Sequence, residues 1–62
     1  METVEVLKID DKGDVLYFFG NNPAYHIISH PDKTGMAVKV GDVIKYEPIG
    51  ANFGWFIEIV KS

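Results

Sequence analysis

Few side chains in this 62-residue chain are of types that carry out reactions, and their spacing suits other work. Cysteine is absent, which removes disulfides, thiolate metal ligands and thiol nucleophiles together. His26 and His30 stand four apart with Asp32 close behind, a set that could meet a metal ion from one face of a helix. On a strand running into a turn, the same spacing splays the rings apart. Asp10, Asp11 and Asp14 cluster as catalytic carboxylates would, but they share Asp10-Asp11-Lys12-Gly13-Asp14 with a glycine, where aspartate serves the backbone of a turn. Ser29 and Ser62 lie in no nucleophile elbow, and no glycine-rich loop leads into a helix to cradle phosphate. The expectation is a chain with no catalytic residues, no metal site and no cofactor.

The aromatic residues carry more information. Tyr17-Phe18-Phe19 fall in one apolar run, Tyr25 opens the next, and Phe53-Gly54-Trp55-Phe56 begin the last. A barrel of this size needs large rings to fill it, but neighbouring residues on a strand face opposite ways. One of Phe18 and Phe19, and one of Trp55 and Phe56, must therefore point outward, where a ring on a small domain marks an interaction surface. Phe18, Tyr25 and Phe56 are the expected members of that surface. Gly50-Ala51-Asn52-Phe53-Gly54 is either a plain hairpin turn or a second contact loop in which flanking glycines let Phe53 or Asn52 approach a ligand.

These side chains are positioned by elements that the turn signals delimit. Asp10-Asp11-Lys12-Gly13-Asp14, Gly20-Asn21-Asn22-Pro23, His30-Pro31-Asp32-Lys33-Thr34-Gly35, Gly41-Asp42 and Gly50-Ala51-Asn52 combine glycine, proline and short polar side chains that favour turns. Between them lie runs predicted as strands at 3–9, 14–20, 24–29, 43–48 and 53–60, with 36–40 extended or a short turn. The residue types agree: seven Val, seven Ile and eight aromatics against two Leu and three Ala suit a pleated sheet. The first run loses its alternation at Val6-Leu7, as a bend in a closing barrel would require. In the last run, alternation puts Phe53, Trp55, Ile57 and Ile59 on one face and Phe56, Glu58 and Val60 on the other. Glu58 then marks the wet side.

Three segments resemble the cold-shock branch of OB-fold barrels. Val6-Leu7-Lys8-Ile9-Asp10-Asp11-Lys12-Gly13 is similar to the end of that family's first strand and the Lys-Gly opening its first RNA-binding motif. Ala24-Tyr25-His26-Ile27-Ile28-Ser29 is similar to the second motif, and Val38-Lys39-Val40-Gly41-Asp42-Val43-Ile44-Lys45-Tyr46-Glu47 to the fourth strand. The resemblance implies an all-β, small five-stranded antiparallel barrel, OB or cold-shock-like, with an SH3-like barrel as the alternative. It also implies binding of single-stranded RNA or DNA by base stacking on the barrel face. The departures are specific: Lys8 stands where the family has tryptophan, Asp14 and Leu16 where it has two aromatic residues, and Ile27 where it has histidine. Only Tyr25 keeps a ring. The expected ligand-binding residues are thus Lys8, Phe18, Tyr25, Ile27 and Phe56.

Charge weighs on the choice of partner. The net charge is −3, and the excess lies in residues 1–14, where Glu2, Glu5, Asp10, Asp11 and Asp14 outnumber Lys8 and Lys12. Arginine is absent, which disfavours strong duplex-DNA binding and bidentate reading of guanine. The alternative is a protein-interaction module, a small inhibitor or accessory protein. Residues 1–62 read as one domain, monomeric or homodimeric. No apolar run approaches the ~20 residues that cross a bilayer, and Met1-Glu2-Thr3-Val4-Glu5 is acidic where a signal peptide is basic, so a cytoplasmic, non-membrane location is expected.

Overall fold

The computed structural model describes residues 1–30 and 33–62, with the backbone alone for Lys33 and Thr34. Of the turn expected at His30-Pro31-Asp32-Lys33-Thr34-Gly35, Pro31 and Asp32 lie outside the described residues, and with them Asp32 as a third metal ligand, while Lys33, Thr34 and Gly35 fall in a helix. Strands form where β-branched and aromatic residues run between turn signals: β1 (Glu2–Glu5), β2 (Lys8–Asp11), β3 (Leu16–Phe19), β4 (His26–Ser29), β5 (Val43–Pro48) and β6 (Phe53–Lys61). A one-turn helix, α1 (Lys33–Met36), falls between β4 and β5. None of the described helices is long and apolar enough to cross a membrane.

The turn chemistry is as the residue types require. Gly13 N–H donates to Asp11 Oδ1 (2.8 Å) and Ala24 N–H to Asn22 Oδ1 (3.0 Å), each two residues back along the chain. Gly41 takes a φ of 102°, a conformation that a Cβ makes costly, and the turn it serves is held from both sides. Lys39 N–H donates to Asp42 Oδ2 (2.9 Å), while Asp42 N–H donates back to Lys39 O (3.0 Å).

The strands make one curled mixed sheet, a half-barrel, in the order β1-β5-β6-β4-β3-β2. Two expectations are corrected here. The first predicted strand is two, because the chain leaves the ladder at Val6-Leu7 to change partners: β1 pairs with β5 and β2 with β3. The sheet is also not wholly antiparallel, since β4 and β6 run parallel, with His26 opposite Phe53 and Ile28 opposite Trp55. The switch at Val6-Leu7 is tied on both sides. Val6 N–H donates to Asp42 O, Gly41 N–H to Val6 O and Leu7 N–H to Phe19 O, all at 2.8 Å.

Phe18, Ile27, Ile44 and Val6 are fully enclosed at the centre, and Leu16, Val38 and Phe56 complete the core. Phe18 meets Phe56 edge to face, with ring centroids 5.5 Å apart. Phe18 and Phe56 therefore point inward, contrary to the expectation for both. For Phe56 the cause is an irregularity in β6: Tyr46 pairs with Phe56 but Lys45 with Glu58, so Ile57 has no opposite residue. That extra residue lets Glu58 face water and ion-pair with Lys45 (3.2 Å) while Phe56 stays inside. Strict alternation had tied the two to one face.

Candidate ligand-binding face

Once Phe18 and Ile27 are inside, period two assigns their neighbours to the outside. Two ladders of outward residues cross the sheet. The first joins Lys8 to Phe19, Phe19 to His26 and His26 to Phe53, across β2, β3, β4 and β6. The second joins Asp10, Tyr17, Ile28 and Trp55 and ends at Glu47 on β5. Direct cross-strand neighbours on one face touch, and the rings do.

His26 is the hub of this face. Its ring lies 5.1 Å from Tyr17, 6.3 Å from Phe19 and 6.0 Å from Phe53, the last nearly parallel at 20°. Lys8 Nζ lies 5.4 Å from the Phe19 centroid, a cation over a ring at the edge of the platform. Further along, His30 and Trp55 meet almost perpendicularly, 5.2 Å apart at 76°. His30 is exposed and Trp55 is 37% exposed, while Tyr17, Phe19, His26 and Phe53 are half-buried by mutual contact. Of the nearby charges, Asp10 is paired with Lys12 at 3.1 Å.

Of the five residues expected from sequence, Lys8 alone sits on this platform. Phe18, Ile27 and Phe56 are core. Tyr25 lies below the outer layer, against Tyr46 at 5.7 Å, and its buried Oη has no hydrogen-bond partner among the described residues. Burial, followed by the charge of Glu2, raises the Tyr25 hydroxyl above its ordinary pKa of 10.0; Tyr46 is raised by the same two causes in that order, with Tyr25 third. A cleft of about 170 Å³ beside them is lined by Val4, Gly20, Asn21, Tyr25 and Tyr46. The residues missed were Tyr17, Phe19, His26 and Trp55, while Phe53 was named only as part of a possible contact loop. A signal existed for Tyr17: its hydroxyl favours the wet side, and parity then carries Phe19 out and Phe18 in. The Gly50-Ala51-Asn52-Phe53-Gly54 segment turns between β5 and β6 and delivers Phe53 to the first ladder, with Ile49 and Gly50 N–H both donating to Phe53 O (3.1 Å each).

Among the described residues, no group of three His, Asp or Glu side chains converges as a metal site would need. Comparison with protein-family models, curated proteins and solved structures finds no match.

Proposed function

We propose that this chain is a non-enzymatic binding domain of the OB type that stacks bases of single-stranded nucleic acid on the outer face of β3, β4 and β6. The observation that carries this reading is the first ladder, in which three rings and a lysine share one row across four strands. Bases stack on rings of this kind with little regard to sequence, at ~1–3 kcal/mol per base. Lys8 supplies a cation for a phosphate at the platform's edge. With no arginine to read base edges, the site selects single strands over duplex more than one sequence over another.

Strand order supports the barrel type. With β1 and β2 taken as halves of one bent strand, neighbours run first, fourth, fifth, third, second and back to the first, with α1 between third and fourth. That order, with its parallel pairing of third and fifth, is the one a Greek-key OB barrel would have, and it supports that reading over an SH3-like one.

The test is titration with mixed-sequence single-stranded oligonucleotides at low salt, followed by ring resonances and by Trp55, the one tryptophan. Saturable binding that weakens with salt is expected. Phe19→Ala or His26→Ala should each lower affinity roughly 5- to 150-fold, the equivalent of one lost stack. Absence of shifts at Tyr17, Phe19, His26 and Phe53 at millimolar ligand would remove nucleic acid and leave a protein partner as the occupant of the face.

A further inference from the structure

We propose that Trp55 and His30 form a second base-stacking station, distinct from the ring cluster around His26; this rests on the single-strand reading above. The two sets of rings are separated on the sheet. Tyr17, Phe19 and Phe53 all contact His26, whereas the ring contact of Trp55 is with His30. Between the sets, at the centre of the second ladder, stands the aliphatic Ile28, opposite both Tyr17 and Trp55. Along β6, Trp55 lies two residues beyond Phe53, a displacement of about 6–7 Å at the rise of a strand.

The geometry of the pair differs from that of the cluster. His26 and Phe53 lie nearly parallel, which extends a flat floor. His30 and Trp55 stand at 76° and form a corner. A planar base lying against one of these rings meets the other at its edge. Both rings carry nitrogen, so the corner offers hydrogen-bonding groups to a base edge as well as a stacking surface. A wholly apolar docking patch would not need them. The occupant that fits is a further nucleotide of the strand already stacked on His26 and its neighbours.

Length dependence separates one station from two. Affinities of a thymidine trimer and a thymidine hexamer are measured by calorimetry for the unmodified chain, Trp55→Ala, Trp55→Phe, His30→Ala and Phe19→Ala. The expected result is that Trp55→Ala weakens the hexamer about tenfold, within the range for one stack, while the trimer changes less than twofold. Trp55→Phe, which keeps a ring, should restore most of the hexamer loss, and His30→Ala should weaken the hexamer alone. Phe19→Ala should weaken both lengths. Equal losses for trimer and hexamer on Trp55→Ala would overturn the second station and leave one continuous platform. So would an unchanged hexamer. Failure of every oligonucleotide to bind the unmodified chain is a different result, which overturns the single-strand reading and this station with it. Amide spectra of each variant establish that the barrel is intact.

Discussion

At the scale of single residues, Gly54 determines how the aromatic layers can stack. It is buried in β6 between outward Phe53 and Trp55, and the space a side chain would occupy is taken from below. A Cβ there would lie 2.7 Å from Tyr25 Oη, 2.8 Å from Tyr46 Cδ2 and 3.0 Å from the Glu47 carbonyl oxygen. The tyrosine pair and the outer rings thus share one backbone position with nothing between them. Gly54→Ala is expected to destabilise the domain by about 1–3 kcal/mol, because two ring systems and a carbonyl must all shift. In a domain of this size each kcal/mol corresponds to roughly 4–8 °C in Tm, so a thermal melt reads it directly. A melt unchanged within 2 °C, about half the lower bound for 1 kcal/mol, would show that the tyrosines move aside freely.

At the scale of elements, the turn from Lys39 to Asp42 holds the junction where the first strand changes partner. Asp42 is 7% exposed, its carboxylate accepts from Lys39 N–H and its carbonyl accepts from Val6 N–H. Asp42→Ala removes the first of these, a part-buried hydrogen bond to a carboxylate, so a loss of about 1.5–3 kcal/mol in urea unfolding is expected. Asp42→Asn, which keeps an acceptor oxygen, should lose less. Elements were also what the sequence made legible. Turn chemistry at Asp11, Asn22 and Gly41 marked where strands stop, and the broken alternation at Val6-Leu7 marked a bend but not the change of partner there. Facing was harder to read. Phe18 and Phe19 are equally apolar, so only the hydroxyl of Tyr17 broke the tie, and the extra residue at Ile57 uncoupled Phe56 from the wet-side signal of Glu58. The parallel pairing of β4 with β6 left no local trace, because it joins segments with a helix and a strand between them. The ladder through His26 was invisible for the same reason: its residues come from four strands whose register no single segment encodes.

For the whole molecule, the half-buried tyrosine pair, Tyr25 and Tyr46, sets a dependence on alkaline pH. Both hydroxyls titrate above 10.0 in the folded chain, chiefly because burial disfavours the phenolate. The folded state therefore keeps protons that the unfolded chain has released, and unfolding liberates them. Stability from these groups is fully present below pH 10.0 and declines as pH rises through the folded values. Thermal melts from neutral pH upward should show the decline beginning near 10, and a Tyr25→Phe, Tyr46→Phe double variant should reduce it. An identical decline in the double variant would assign it to other groups, the lysines first. The bent first strand has a consequence of another kind, for the order in which the fold assembles. Its second half can zip to β3 by a short local hairpin, but the partner of Glu2 is Tyr46, on a strand that emerges from the ribosome far later. A growing chain thus carries β1 as an unsewn hem until β5 arrives, and β6, later still, stitches β5 to β4.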